Sequence, residues 1–416
     1  MSWNNLKKEL LKKKKKTKKK SKKKDSNTSS FSILEVVVII FISIIFGAIM
    51  GYMITYTNKI SKYSKIDEVI NTYHELSENY YQDVSDDKLA DAAIKGMIES
   101  LNDPYSSYLD QEQSDSFKET VDGSFVGIGI TIMLESTGNR IIEVLDGTPA
   151  AKVGLKENDI ILKVNEVEAR NLAPSELSDL VRGEKNTPVS ITVQREEKEL
   201  TFKMKRDTIN LPSVNSEMIK PNLGYVQVTS FAANTYNQFK KALEKLEKDH
   251  INGLIIDVRG NYGGHLDQTK KMLSLFFPKK TVLYQIEVKG KREKIYSASK
   301  ESRSYPIVVL VNESSASASE ILASCFKENY DRSLVIGVQT YGKGTVQKSQ
   351  MLSSGTSIKY TTEKWLTSKG EWFSGSGLTP DIAITQNPVY YQNPVIENDT
   401  QLQKAIEELY KMQEKV

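Results

Sequence analysis

Cysteine and histidine are both scarce in this chain of 416 residues. Cys325 is the single cysteine, so no disulfide can form within one chain, and cysteine usage does not reveal the redox compartment. Histidine occurs only as His74, His250 and His265. A reaction that needs a histidine base must use one of these three. Only His265 follows a glycine-rich turn that could bring an imidazole to an active site.

Negative charge is nearly absent from the N-terminus, and the overall net charge of +4 hides this asymmetry. The first 30 residues contain 13 lysines against Glu9 and Asp25, which gives +11, so the rest of the chain carries −7. The lysine run at residues 7–24 has no apolar face and is predicted to be a solvated tail. Because the body of the protein is acidic, its folded part is not expected to bind nucleic acid.

Long uncharged runs of predominantly apolar residues are absent except at residues 36–56. A helix of about 20 apolar residues suffices to cross a hydrocarbon core. The preceding lysines predict that residues 1–35 form a cytoplasmic tail and that the chain after residue 56 lies outside the cell membrane. A cleaved signal peptide is the alternative, but the run is longer than its usual apolar region and no clear A-x-A site follows. We therefore predict a single-pass signal anchor.

Residues 62–118 have helical periodicity. Asp86 and Asp87 can cap a helix there, and Pro104 ends the pattern. No residue type in this stretch points to chemistry by itself. A helical cap or a dimerisation element is predicted.

Residues 119–206 predict a small β-rich domain. Gly127, Ile128, Gly129 and Ile130 open a strand whose glycines allow close approach of a ligand backbone. The order of strands and helices resembles a PDZ domain, with these four residues at the position of its carboxylate-binding loop. A PDZ domain captures a peptide C-terminus by adding it as a strand to a sheet edge. We therefore expect peptide binding here, and the alternative is a spacer that binds nothing.

Residues 207–390 alternate predicted strands and helices, which favours an α/β fold. A buried strand at residues 253–258 ends in a glycine-rich turn, where open α/β sheets build their active sites. Residues 306–347 predict a strand, a tight turn with a serine, a helix, a second strand and a loop with a lysine. A serine on such a turn lies beside the free N–H groups of a helix start. Those donors suit the oxyanion that forms when a serine attacks a carbonyl.

Lys343 is the candidate base for that serine. Burial disfavours a charged amine and lowers its pKa toward neutrality. Lys343 lies between two glycines after an apolar strand, a position suited to a buried general base. His265 is the alternative base, and it lacks an evident acidic orienter.

Lys343 also belongs to a partial nucleotide-binding pattern. Residues 337–343 match the first seven positions of a P-loop, but Gly344 replaces the Ser or Thr that would hold magnesium. A strand-like segment follows, whereas a P-loop runs into a helix N-terminus. Nucleotide binding is therefore disfavoured, and no metal or other cofactor is predicted.

Several motifs together resemble the carboxyl-terminal processing peptidases, also called tail-specific proteases. They are residues 315–320 (SASASE) and 342–347 (GKGTVQ), with further similarity at residues 87–97, 102–108 and 257–261 and in the PDZ-like segment. The resemblance covers roughly residues 65–415. It implies a PDZ domain placed before an α/β serine-protease core of the crotonase-like ββα type.

The resemblance also implies the roles of the site residues. Ser317 would be the nucleophile, Lys343 the general base, and Gln347 the residue that orients the lysine. The oxyanion donors would be the backbone N–H groups of Ala318 and Gly260.

Two further expectations come from the same family. Arg182 matches an arginine that in some relatives links peptide binding to alignment of the protease. The helices of residues 62–118 and the helical tail at 391–416 imply a homodimer. The sequence departs from the family at Tyr262, where proline is usual, which could loosen the oxyanion turn.

The combined prediction is a membrane-anchored serine endopeptidase that binds substrate C-termini through its PDZ domain and cleaves them through an acyl-enzyme. A rival prediction is an inactive PDZ scaffold on a membrane anchor, but a chain that keeps Ser317, Lys343 and Gln347 argues against it. A trypsin-like enzyme would need a Gly-x-Ser-Gly context and a His-Asp pair that this chain lacks. The sequence names neither the substrate nor any regulatory partner.

Overall fold

The computed structural model describes residues 32–62, 64–300 and 302–414. The chain divides into two compact units, residues 1–93 and 94–416. The boundary falls within the stretch 62–118 that we expected to form one helical region. The lysine run at residues 7–24 lies outside the described residues.

The N-terminal unit is helical. It contains α1 (Ile33–Lys62), α2 (Ser64–Asn79) and the start of α3 (Asp86–Glu99). In α1, the segment Ile33–Tyr56 has a mean hydropathy of 2.9, and its side chains are not buried. Among the described residues this is the one helix long and apolar enough to cross a membrane, and a signal sequence has the same properties.

The second unit contains the remaining elements. Its helices are α4 (Gln111–Asp122), α5 (Pro149–Val153), α6 (Pro174–Val181), α7 (Thr235–Lys248), α8 (Leu266–Leu273), α9 (Ala318–Asn329), α10 (Pro388–Gln392) and α11 (Thr400–Glu414). Its strands are β1 (Ser107–Leu109), β2 (Ser124–Gly127), β3 (Ile130–Glu135), β4 (Gly138–Val144), β5 (Ile160–Val164), β6 (Val167–Glu168), β7 (Pro188–Arg195), β8 (Lys198–Lys205), β9 (Asp207–Asn210), β10 (Val214–Lys220), β11 (Leu223–Val228), β12 (Gly253–Asp257), β13 (Val282–Val288), β14 (Lys291–Tyr296), β15 (Ile307–Val311), β16 (Ser333–Gly337), β17 (Thr345–Met351), β18 (Ser357–Leu366) and β19 (Ile382–Ala383).

A six-stranded sheet with the order β10-β11-β12-β15-β16-β19 forms the centre of this unit. All its strand pairs except β10–β11 are parallel. In β15, Val309 belongs to a core with side chains of α7, α8 and α9, whereas Val308 and Leu310 belong to a core with α11. Both faces are thus buried, which is why these strands are continuous apolar runs in the sequence. The carboxyl ends of β12 and β15 carry the glycine-rich turn and the serine turn side by side.

A second sheet has the order β1-β18-β13-β14, with β17 paired to β18. The long strand β18 thereby contacts β1, β13 and β17. This arrangement places residues of β1 and its preceding loop next to the strand that follows the lysine loop. Residues far apart in sequence meet here.

The segment between β3 and β8 folds around its own core. Its sheet has the order β3-β4-β5-β7-β8, with the short β6 paired to β5. Ile141, Ile161, Leu177 and Ile191 are fully buried within it. The helices α5 and α6 belong to the same segment and begin at Pro149 and Pro174. A two-stranded ribbon of β2 and β9 flanks the sheet in sequence.

Candidate active site

Ser317 lies at the turn between β15 and α9, where its backbone has φ +54° and ψ −111°. A residue other than glycine rarely adopts a positive φ, and such strain persists only where the surroundings enforce it. A serine on a strained strand-to-helix turn is the geometry of a nucleophile elbow. Ala318 is the first residue of α9, so its N–H has no acceptor within the helix and remains beside the Ser317 hydroxyl.

The two neighbouring serines hold the serine turn against the glycine-rich turn. The Ser315 hydroxyl donates to the Val258 carbonyl at 2.8 Å, and the Ser319 hydroxyl donates to the Asn261 carbonyl at 2.8 Å. The Ala316 N–H also donates to Asn261, at 3.0 Å. The hydroxyls of Ser315 and Ser319 are therefore engaged in holding the two turns together.

The glycine-rich turn approaches Ser317 through Gly263, which has φ +103°. A Cβ at Gly263 would lie 2.9 Å from the Ser317 Cβ, so only glycine fits. Gly260, the predicted second oxyanion donor, has its N–H committed to Asn312 Oδ1 at 2.9 Å. In this conformation the Gly260 N–H therefore already has an acceptor, and its role as an oxyanion donor stays a prediction.

Glu320 joins the serine turn to the lysine loop. Its carboxylate is fully buried and accepts hydrogen bonds from the N–H groups of Ser317, Gly342 and Lys343 at 2.8, 2.7 and 2.9 Å. It also accepts from the Thr340 hydroxyl at 2.5 Å. Four donors satisfy a buried carboxylate, as burial of such a group requires.

Two indoles fix the other side of the lysine loop. The Trp365 N–H donates to the Lys343 carbonyl at 2.6 Å, and the Trp372 N–H donates to the Gly344 carbonyl at 3.0 Å. The N–H side of the loop is bound to Glu320, so its backbone is held from both directions. Hydrogen bonds to side chains, rather than regular secondary structure, hold the backbone of this loop in place.

The Lys343 side chain is half-buried, and burial lowers the pKa of its ammonium, with a further lowering from nearby Lys359. Asp103 and Glu320 oppose the shift. Lys343 Nζ lies 5.1 Å from the centre of the Tyr105 ring, within the range of a cation–π contact. Among the described residues no hydrogen bond joins Lys343 Nζ to the Ser317 hydroxyl. The two loops are thus adjacent, but their side chains are not paired in this conformation.

Among the described residues, no hydrogen bond joins the Gln347 side chain to Lys343 in this conformation. Its Nε2 donates to the hydroxyls of Thr345 and Thr361 at 3.0 and 3.1 Å. The amide is therefore held on β17, four residues beyond Lys343.

His265, the alternative base, occupies the N-cap position of α8 without a capping hydrogen bond from its side chain. Its Nε2 lies 3.1 Å from the Val121 carbonyl, so the ring is engaged with backbone. The nucleotide-binding alternative is also excluded, since the lysine loop runs into strand β17 and not into a helix N-terminus.

The predicted peptide-binding residues line a groove of about 320 Å³ between β3 and α6. Gly127, Ile128, Gly129 and Ile130 form one wall, and apolar side chains such as Leu177 form the floor. Gly129 has φ +85°, and a Cβ there would lie 2.4 Å from the Thr148 side chain. The groove thus has the strand edge and the apolar pocket that capture of a peptide C-terminus needs.

Arg182 lies at the end of this groove. Its guanidinium pairs with Glu119 of α4 at 2.5 Å and lies 5.1 Å from the centre of the Phe125 ring. It therefore bridges the PDZ-like segment to the helix that precedes it.

Sequence reasoning gave no role to four residues that the structure places around the lysine. Glu320, three residues after Ser317, has the spacing of a capping box, and that signal could have identified it. The others reach the site through sheet pairing or loop contacts and carry no local signal. They are Asp103, Thr361 and Trp372.

Comparison with known proteins agrees with this geometry. Residues 222–384 match the family model described as Peptidase family S41, residues 126–205 the PDZ domain, and residues 1–113 the Activating protease CtpB N-terminal domain. The chain is 40% identical over 338 residues to the carboxy-terminal processing protease CtpA of Bacillus subtilis (strain 168), covering 81% of this chain and 72% of that protein.

A second relative is a probable CtpA-like serine protease of Staphylococcus aureus (strain COL), 37% identical over 375 residues, with 86% of this chain and 75% of that protein covered. A similar solved structure is that of the photosystem II D1 C-terminal processing protease, 24% identical with a TM-score of 0.45, covering 78% of this chain and 94% of that one. The chain therefore belongs to the S41 family of C-terminal processing proteases, which are serine-type endopeptidases, and it carries a PDZ domain.

Proposed function

We propose that this protease is anchored in the cell membrane and cleaves proteins with a Ser317–Lys343 dyad, after its PDZ domain has bound their C-termini. The observation that carries the dyad is the backbone strain at Ser317 together with the shared carboxylate of Glu320, which ties the turn of Ser317 to the loop of Lys343. Strain and a buried hydrogen-bond network are maintained together where a reaction needs fixed geometry.

In the proposed reaction, Ser317 Oγ attacks the scissile carbonyl carbon while neutral Lys343 takes the hydroxyl proton. The oxyanion accepts a hydrogen bond from the Ala318 N–H. The C–N bond then breaks, the leaving amine takes the proton from Lys343, and an acyl ester on Ser317 remains. Lys343 next takes a proton from water as the resulting hydroxide attacks the acyl ester. The bond from the acyl carbon to Ser317 Oγ then breaks, and Lys343 returns the proton to that oxygen, which releases the new carboxylic acid and restores both the serine hydroxyl and the neutral lysine.

Two adjustments precede this reaction from the conformation described here. Lys343 Nζ must leave the Tyr105 ring for the Ser317 hydroxyl and come within reach of the Gln347 side chain, which is proposed to orient it. Gly260 must release Asn312 if its N–H is to serve as the second oxyanion donor. Peptide docking in the PDZ groove is the proposed trigger, with Arg182 as the proposed sensor because it lies at the groove and also pairs with Glu119.

The PDZ groove is proposed to hold an apolar substrate C-terminus. Its pocket is lined by apolar side chains, and the strand edge of β3 is available for main-chain hydrogen bonds. A peptide with a free carboxylate would then bind more tightly than its amidated form.

The helix α1 is proposed to be an uncleaved anchor with the catalytic part outside the cytoplasm. Its apolar segment and the lysines before it support this orientation. In intact protoplasts, external proteinase K should degrade the part after residue 62 and leave a small membrane-protected N-terminal fragment. A catalytic part that is protected until the membrane is lysed would overturn the orientation.

A homodimer is proposed as well. Exposed apolar side chains such as Val69 and Leu76 line an open groove between α2 and the start of α3. Exposed apolar grooves of this kind are typical of association surfaces. Light scattering of the detergent-solubilised chain should give twice the protomer mass, and a monomer at micromolar concentration would contradict the proposal.

The dyad is tested with the full chain in detergent micelles, using β-casein and an added peptide with an apolar C-terminus. Ser317→Ala and Lys343→Ala should both abolish cleavage, whereas His265→Ala should retain it. Cleavage that survives Lys343→Ala but is lost in His265→Ala would show that His265, and not Lys343, is the general base. A wild-type chain that binds the peptide but cleaves nothing would support the scaffold prediction instead.

A further inference from the structure

The motif at residues 102–106 carries an acid whose role the proposed reaction leaves unexplained. Asp103 lies in the loop before β1, next to β18 and far from the catalytic loops in sequence. Its Oδ2 accepts from the Ser106 hydroxyl at 2.6 Å and from the Thr361 hydroxyl at 2.6 Å. Its Oδ1 accepts from the Tyr105 N–H at 3.1 Å. Burial alone would raise the pKa of Asp103, but these hydrogen bonds hold it below its ordinary value, so the group is a carboxylate.

The Thr361 hydroxyl links this carboxylate to Gln347. A hydroxyl has one proton, and an ionised carboxylate can only accept, so Thr361 must donate its proton to Asp103. Toward Gln347, 3.1 Å away, Thr361 can then only accept. The Gln347 amide must therefore turn its NH₂ group to Thr361, where the second N–H finds the Thr345 hydroxyl at 3.0 Å.

This orientation decides what Gln347 can do for the base. With both N–H groups committed to threonine hydroxyls, the free group of the amide is its carbonyl oxygen. A carbonyl oxygen accepts a hydrogen bond from an ammonium or an amine, whereas an NH₂ group in its place would repel the cation. The series Asp103, Thr361, Gln347 thus has one consistent set of donors, and it leaves the Gln347 carbonyl oxygen as the acceptor for a lysine that approaches it.

We propose that Asp103 is a positioning residue for the base, acting through Thr361 on the Gln347 amide and, by its charge, on the Lys343 ammonium. The inference rests on the proposed Ser317–Lys343 dyad. The charged and titratable groups around Lys343 come from four places: Asp103 and Tyr105 of the loop before β1, Lys359 of β18, Glu320 of α9, and Tyr341 of its own loop. Asp103 and Glu320 favour the charged lysine, and Lys359 disfavours it.

The test separates the hydrogen-bond role from the charge role. Thr361→Val removes the hydroxyl at nearly constant volume and should lower kcat about ten-fold at the pH plateau, as expected for a misplaced catalytic group. Thr361→Ser restores the hydroxyl and should recover most of the rate. Thr362→Val is the matched control, the same change one residue along β18, at a residue for which no hydrogen bond to Asp103 or Gln347 is described. Asp103→Asn removes a charge that favours the ammonium, so the acid limb of kcat/KM should move to lower pH.

The measurement is casein cleavage by the full chain in detergent across pH, with thermal unfolding of each variant as a check on folding. A Thr361→Val rate equal to wild type, a Thr361→Ser rate as low as that of Thr361→Val, or an unmoved acid limb in Asp103→Asn would each overturn the inference. If Lys343→Ala still cleaves, the proposed dyad itself fails. If Lys343→Ala is inactive while Thr361→Val and Asp103→Asn behave as wild type, only the role of Asp103 fails.

Discussion

The backbone N–H groups of Ser317 and Lys343 donate to the same atom, Oε2 of the buried Glu320, at 2.8 and 2.9 Å. One carboxylate oxygen therefore sets the distance between the turn that carries the proposed nucleophile and the loop that carries the proposed base. These backbone hydrogen bonds do not require a hydrogen bond between the Ser317 and Lys343 side chains. They are therefore present in the conformation described here, in which those two side chains are not paired.

Glu320→Gln should lower kcat by about 100-fold or more and lower the free energy of unfolding by about 2 kcal/mol. Glutamine keeps the shape of the side chain but replaces one acceptor oxygen by an NH₂ group, which faces N–H donors that it cannot satisfy. Cleavage kinetics and urea unfolding of the same preparation measure both effects. Glu313→Gln, an exposed change in the same turn, is the control, and an equal effect there would refute a specific role for Glu320.

The pH dependence of cleavage should report the lowered pKa of Lys343. The base acts when neutral, so activity should rise with pH through a pKa below the ordinary lysine value. Lys359→Met removes a positive charge that lowers this pKa and should move the acid limb of kcat/KM to higher pH. Lys348→Met, an exposed lysine on the adjacent strand, should leave it in place. A shift to lower pH in Lys359→Met would contradict the assigned electrostatics.

Gly129→Ala should reduce binding of an apolar C-terminal peptide at least ten-fold. The new Cβ would collide with Thr148 in a loop whose shape creates the carboxylate site. Gly147→Ala is a close control because Gly147 also has positive φ but has open space around its Cβ position. Fluorescence anisotropy with a labelled peptide compares the two. Equal affinity of both variants would place the peptide elsewhere.

Asp399→Asn should lower the free energy of unfolding by about 3 kcal/mol at neutral pH, because it breaks a buried ion pair. Asp399 accepts from both ends of the Arg259 guanidinium, at 2.9 and 2.7 Å. Burial opposes ionisation of Asp399, but Arg259 holds its pKa below the ordinary value.

A depressed folded-state pKa contributes stability that is present above the unfolded pKa, about 4, and is lost as pH falls through the folded value. The wild type should therefore lose stability below about pH 4 more steeply than Asp399→Asn. Guanidinium unfolding between neutral and acid pH measures this, with the exposed Glu397→Gln as control. If the free energy of unfolding fell equally steeply with decreasing pH in wild type and Asp399→Asn, the depressed pKa of Asp399 would not contribute to stability, and the prediction would be wrong.

Sequence reasoning located the elements whose signal is local. The strand Ile307–Val311 is a buried apolar run, and the helix Thr235–Lys248 has amphipathic spacing, so a local pattern in the sequence marks each of them. The turns that carry Ser317 and Lys343 were predicted because small residues and glycines mark them, and Ser317 was chosen within its serine cluster from the family resemblance. The hydrogen bond of Thr361 to Asp103 was invisible because it spans 258 residues and depends on how β1 pairs with β18.

The commitment of Gly260 to Asn312 was also beyond prediction. A backbone N–H beside a glycine-rich turn has many possible acceptors, and only the packed structure selects one. Pattern and resemblance thus identify which residues are present at the site. Which acceptor each N–H group is bound to is decided only by the folded conformation.

Trp365 and Trp372, whose indoles hold the carbonyls of Lys343 and Gly344, are two of the chain's three tryptophans. The third, Trp3, lies in the basic tail. Most of the tryptophan fluorescence of this protein is therefore expected from two indoles that are hydrogen-bonded to the lysine loop. A rearrangement that brings Lys343 to Ser317 would change the surroundings of those indoles, so the unlabelled protein carries its own optical reporter of that step.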